Sequence, residues 1–154
     1  MDIKSSAFAV GGVIPIKYTC EGDNVNMPLE FSDVPGEAKS LVMLMDDPDV
    51  PKNLKPDGMF DHWVIYNMPP ETRSILENSE PPGLEGKHGA GNQGYTGPCP
   101  PDREHRYFFK LYALDAMLDI PAGPTKADVE AAMQGHILDQ AELMARYTKL
   151  ENQK

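Results

Sequence analysis

The chain is poor in basic residues, cysteine and tryptophan, and it has no long apolar run. Its 14 lysines and arginines stand against 24 aspartates and glutamates, a net charge of −10 at pH 7. Such a balance argues against nucleic acid as a partner, because nothing neutralises a phosphate backbone over a wide surface. A small anion held in one local pocket stays compatible with it. No apolar run approaches the roughly 20 residues a helix needs to span a bilayer, so no stable membrane insertion is expected. The opening Met1-Asp2-Ile3-Lys4-Ser5-Ser6 lacks a basic start followed by an apolar core and does not read as a signal peptide. A cytoplasmic location is the simplest expectation.

The two cysteines, Cys20 and Cys99, have neither CxxC spacing nor a nearby histidine in a zinc pattern, so no structural metal is expected. Both sit in turn-like contexts, Tyr18-Thr19-Cys20-Glu21-Gly22 and Pro98-Cys99-Pro100. They read either as free thiols, the plainer reading for a reduced compartment, or as a bridge joining two loops. No Gly-x-Ser-x-Gly elbow and no serine at a strand-to-helix turn supports a serine hydrolase. Internal repeats, low-complexity blocks and linkers are lacking too, and 154 residues suit one domain over 1–154.

What the chain does have is punctuation. Its 15 prolines and 13 glycines are spread along the whole length, which reads as many turns between short strands. Ser40–Asp47 contains five consecutive apolar residues, a strand buried on both faces. Asp61–Asn67 and His105–Asp115 are the other central strands. Leu29–Phe31 is a short strand, residues 1–10 read as an edge strand, and Ile14–Tyr18 as an irregular one because of Pro15. Residues 71–94 form a long irregular excursion. Helix is expected only in the last third: Thr125 is an N-cap with Asp128 three residues on, and Gly135 is a stop. Ile137, Ala141, Met144 and Thr148 fit a second helix or a continuation.

Polar residues gather at the strand ends. Asp46, Asp47 and Asp49 follow the first central strand, Asp61 and His62 open the second, and His105, Arg106 and Tyr107 open the third. If these strands neighbour each other antiparallel, carboxylates, two imidazoles and a phenol meet at one edge. Alternation puts His105 and Tyr107 on one side. Nearby carboxylates should favour protonated imidazoles. With the Tyr hydroxyl and loop amides near Gly97, the cluster suits a small oxyanion such as phosphate, with Asp47 orienting an imidazole. The rival is a metal site of His62, His105 and one Asp, or a His-dependent hydrolase.

Four motifs occur in order: Asp47-Pro48-Asp49-Val50-Pro51, His62-Trp63-Val64-Ile65-Tyr66-Asn67, Gly94-Tyr95-Thr96-Gly97-Pro98-Cys99-Pro100-Pro101 and His105-Arg106-Tyr107. Together they resemble the phosphatidylethanolamine-binding protein family, in its bacterial Raf-kinase-inhibitor-like branch, over most of the chain. The resemblance implies a mainly β fold: an antiparallel β-sandwich of a large and a small sheet with peripheral C-terminal helices. It implies non-catalytic binding of phosphate-like anions by Asp47, His62, Gly97, Pro98, His105 and Tyr107, with Gly97 and Pro98 shaping the mouth. No cofactor and no metal is implied. The implied partner is a small phosphate-bearing ligand, with room left for a regulated protein such as a kinase and for a homodimer. Cys99 departs from the Gly-Pro-Pro mouth of eukaryotic members.

Overall fold

The apolar run Leu41–Met45 lies mid-molecule because both of its faces are covered. The structure is a computed structural model and describes residues 1–153. Its strands are β1 (Asp2–Lys4), β2 (Leu29–Ser32), β3 (Ser40–Asp47), β4 (Phe60–Met68), β5 (Ser74–Ile75), β6 (Leu84–Glu85), β7 (His105–Leu114) and β8 (Ile137–Tyr147). One α-helix, α1 (Lys126–Met133), and two 3₁₀ turns, Ile16–Tyr18 and Leu150–Asn152, complete the regular structure. A small sheet runs in the order β1-β2-β5 and a large one in the order β6-β4-β3-β7-β8, with every strand pair antiparallel.

Alternation along β3 sorts its residues between two cores. Leu41, Met43 and Met45 face the small sheet, together with Ile3, Leu29, Phe31 and Ile75. Val42 and Leu44 face the other way and pack with Val64, Tyr66, Leu118 and the helix residues Val129 and Met133. The layers are therefore small sheet, large sheet and helix. Two-sided burial explains why β3 reads as an unbroken apolar run. On the helix side a charged cluster crosses the sheet: Asp46 Oδ2 is 3.0 Å from both Lys110 Nζ and Lys126 Nζ, and Lys126 Nζ is 3.0 Å from Asp61 Oδ1. It ties α1 to β3 and β4.

The start of α1 follows the sequence. The Thr125 hydroxyl accepts from the Asp128 amide at 3.2 Å, and the Asp128 carboxylate accepts from the Thr125 amide at 3.0 Å, a reciprocal capping box. Gly135, two residues past Met133, has φ of +82°, which its missing Cβ permits.

The second C-terminal helix is not formed. Ile137–Tyr147 is β8, paired with β7 in register from Leu114↔Ile137 to His105↔Tyr147. The residues facing the core are Ala141, Leu143, Ala145 and Tyr147, a period of two. The same segment also offers a helical spacing, and ten pairings to a central strand decide between them. Two N-terminal readings change as well. Only Asp2–Lys4 of residues 1–10 is strand, and Ile16–Tyr18 is a 3₁₀ turn rather than an irregular strand. Residues 11–14 instead run along the last part of β8, where the Gly11 amide donates to Met144 O and the Ile14 amide to Arg146 O. Among the described residues, no helix is long and apolar enough to cross a membrane.

Cys20 and Cys99 form a disulfide. The expectation of free thiols gives way to the bridge between two loops. The Cys20 amide also donates to Pro98 O at 3.1 Å, so the chain around Tyr18–Cys20 is bound to the Gly97–Cys99 loop twice.

Candidate functional site

Antiparallel pairing of β3 with β4 and β7 brings the C-terminal end of one strand beside the N-terminal ends of the other two. Asp46 pairs with Asp61 and with Phe108, which places Asp47, His62 and His105 at one edge of the large sheet. There they wall a cavity of about 390 Å³ with Gly97, Thr96, Lys55 and an apolar group of Val50, Leu54, Phe60, Pro100 and Pro101. Cys99 of the disulfide also reaches this wall. Three strand ends and the Gly/Pro-rich loop thus meet as their spacing suggested.

Asp47 turns the chain and orients an imidazole at once. Its Oδ1 accepts the Asp49 amide at 2.8 Å, and its Oδ2 lies 2.6 Å from His105 Nδ1. Burial pushes the Asp47 carboxyl upward, and the His105 and Asp49 hydrogen bonds offset this only in part. The other ring nitrogen, His105 Nε2, is 2.7 Å from Asp102 Oδ1. The fully buried His105 ring is therefore clamped between two carboxylates. Burial is the largest single influence on the half-exposed Asp102 carboxyl and works to raise it, but the His105 hydrogen bond and charge together with backbone hydrogen bonds outweigh it and hold the group below its ordinary value. Beside this clamp, Arg106 grips Asp49 through Nε and Nη2 at 2.9 and 2.8 Å. That pair, with the Arg106 amide, holds the Asp49 carboxyl down at about 2.

His62 behaves differently from the expectation that neighbouring carboxylates would favour its protonation. Burial pushes its imidazole down to about 4, and the hydrogen bond to Thr96 and the charge of Asp46 do not compensate. Its Nδ1 lies 2.8 Å from Thr96 O. The ring packs against Phe60 at 4.7 Å and meets Tyr107 edge-on at 5.3 Å between centroids. Desolvation outweighs charge because nearly the whole ring is enclosed.

Tyr107 is fully buried, and its ring stands behind His62 rather than in the cavity wall. Its hydroxyl has no hydrogen-bond partner among the described residues, which leaves a buried polar group unsatisfied. Burial raises the phenol far above its ordinary value, so the group is a neutral O–H. Pro98 is buried with its carbonyl on Cys20 and supports the mouth without lining it. The Gly97 amide, expected to face a ligand, donates instead to Asn24 Oδ1 at 2.8 Å.

Three contributors are not evident from strand alternation. Asp102 lies in a loop whose path depends on Pro100 and Pro101. Lys55 brings the wall's lysine, and its loop, Asn53-Leu54-Lys55-Pro56, has no period. Asn24 fixes Gly97 across 73 residues of sequence. Their only sequence signal is proximity to motif residues or polarity beside a turn. The metal arrangement of His62, His105 and one Asp is not assembled: both His105 nitrogens face carboxylates, and among the described residues no group of three His, Cys, Asp or Glu side chains is arranged to hold a metal ion.

The family model for phosphatidylethanolamine-binding protein matches residues 4–148. A UPF0098 protein of Chlamydia trachomatis is 47% identical over 149 residues, covering 97% of this chain and 99% of that one. The solved structure of a phosphatidylethanolamine-binding protein homologue from the same organism superposes with a TM-score of 0.94 at 47% identity, over 96% of this chain and 97% of that chain. E. coli YbcL, described as a new member of the mammalian family, gives a TM-score of 0.86 at 25% identity, over 96% of this chain and 98% of that chain. The chain belongs to the phosphatidylethanolamine-binding protein family.

Proposed function

We propose that the cavity bounded by Asp47, His62, Gly97 and His105 binds a phosphate-like oxyanion without catalysis, and that occupancy regulates a partner protein such as a kinase. The observation that carries the reading is the Tyr107 hydroxyl, a neutral buried donor left without a partner directly behind His62. A buried unsatisfied hydroxyl costs about 1–3 kcal/mol, and an oxyanion that entered past the edge of the His62 ring would recover that loss. Lys55 adds a positive charge to the wall. The family's description, which names a phospholipid with a phosphate headgroup, points the same way.

The polar groups present suit binding better than turnover. Cys99 is held in a disulfide and cannot act as a thiolate nucleophile. His105, the candidate base of a hydrolase, has both nitrogens against carboxylates. An NMR titration with inorganic phosphate and with phosphoethanolamine tests the reading. Resonances of His62, His105 and Tyr107 should shift at millimolar ligand; if all three stay in place, the anion site is refuted.

A further inference from the structure

The Thr96 carbonyl can only accept a hydrogen bond, so His62 Nδ1, at 2.8 Å from it, carries a hydrogen. A neutral ring with hydrogen on Nδ1 bears a lone pair on Nε2. His62 forms part of the cavity wall, and Nε2 has no hydrogen-bond partner among the described residues. A bare anionic oxygen placed against that lone pair would be repelled.

The charges around the ring give a second, independent reason. Asp47 from β3, His105 from β7 and Lys55 from the loop before β4 share the wall. Asp61 precedes His62 on β4, while Asp46 and His88 act on it from further off. Tyr107 packs on its edge, and Asp102 stands on the far side of His105. Asp46 and Asp61 are paired with Lys110 and Lys126, and Asp49 with Arg106, so on the wall itself Lys55 is the one cation beside the Asp47 carboxyl, too little to offset the two charges of a dianion.

We infer that the cavity takes a phosphate monoester together with one hydrogen shared between a ligand oxygen and His62 Nε2, and so favours a terminal phosphate over the diester of an intact phospholipid headgroup. The inference rests on the anion-binding reading above and names its ligand class. A monoester has a second pKa near 6, so its monoanion carries a P–O–H that can donate to Nε2 while the ring stays neutral. A diester has one ionisable oxygen and no such hydrogen near neutrality. To be held there, it would need the ring itself to take up a proton from solvent, which burial resists down to about 4. The balance is simple. From the dianion, the complex forms with uptake of one proton from solvent; from the monoanion it forms with none, and only O–H and N–H bonds change.

Isothermal titration calorimetry on the whole chain, in two buffers of different ionisation enthalpy, tests this with phosphoethanolamine, inorganic phosphate and glycerophosphoethanolamine. At about pH 8 the first two should bind with uptake of about one proton, and at about pH 5 with almost none. Their affinity should fall about tenfold per pH unit above pH 7. The diester should bind at least about tenfold more weakly at pH 7. Monoester binding at pH 8 without proton uptake, or equal binding of the diester, overturns the inference and leaves the anion site standing. No binding by any of the three at any pH overturns both. In the wild-type chain, the ¹⁵N signal of His62 Nε2 should move toward the protonated position on adding phosphoethanolamine; an unchanged signal in a saturated sample overturns the shared hydrogen. In His62→Gln, whose amide does not titrate, phosphoethanolamine should bind more weakly and with no proton uptake; uptake that survives the substitution overturns the role of Nε2.

Discussion

Asp47 Oδ2 lies 2.6 Å from Nδ1 of His105, and both side chains are buried. Removing the carboxylate by Asp47→Ala would strand Nδ1 without an acceptor and release the Asp49 amide as well. Breaking a buried pair of this kind costs about 3 kcal/mol or more. Asp47→Asn keeps a carbonyl oxygen toward the ring and should cost less, about 1 kcal/mol. Chemical denaturation checks both; equal losses in the two variants would mean that the charge of the carboxylate, which both remove, decides the stability and that the retained oxygen and volume do not.

Acid should destabilise the protein in two separate steps. The buried His62 titrates near 4 against an ordinary 6.5, so the unfolded chain takes up a proton that the folded one refuses. Stability is therefore full above about pH 6.5 and falls as pH drops toward 4, by on the order of 3 kcal/mol. Asp49, held near 2 against an ordinary 3.8, contributes only lower down, and its share disappears as pH falls from about 4 to 2. Denaturant midpoints measured across pH should resolve the upper step, and His62→Gln should abolish it while the lower step persists.

Much of this site was legible in the sequence because each part reports on itself locally. Five apolar residues in a row announce a strand covered twice, and Thr125 with Asp128 announces a helix start. Asp47, His62 and His105 lie at ends of such strands, so antiparallel pairing alone brings them together. The misread parts depend on distant neighbours. Ile137–Tyr147 carries both a helical and a strand period, and only the exposed pairing edge of β7 selects the strand. The protonation of His62 depends on how completely Phe60, Tyr107 and the Thr96 loop enclose it, which no count of nearby carboxylates reveals. Asp102 and Asn24 reach the site through loop geometry that Pro and Gly permit but do not specify.

The bridge between Cys20 and Cys99 closes a separation of 79 residues. A loop of that length restricts the unfolded chain by about 4–5 kcal/mol in the chain-entropy treatment. Full reduction, or Cys20→Ser with Cys99→Ser, should lower the melting temperature by roughly 10 °C or more. A thiol assay on the unfolded, unreduced protein should find no free thiol. Because Cys99 lies in the cavity wall, the reduced protein should also bind phosphate more weakly, which a titration under both conditions compares.

Gly97 has no room for a side chain. A Cβ there would stand 2.2 Å from Tyr18 O and 2.5 Å from Asn24 Oδ1, against backbone that the disulfide holds in place. Asn24 accepts the Gly97 amide, and Tyr18 O accepts the Tyr95 hydroxyl at 2.6 Å, so neither oxygen can retreat without losing a hydrogen bond. Gly97→Ala must therefore push the loop from Thr96 to Cys99 outward, at a cost of about 1–3 kcal/mol. The displaced Thr96 carbonyl would no longer hold His62 Nδ1, and the ring could turn. Two effects should appear together: a lower melting temperature and weaker phosphate binding. Gly36→Ala is the control, since nothing lies within 4 Å of the added atom. If Gly97→Ala lowers stability to the expected degree yet binds phosphate like the wild type, the mouth loop does not position His62.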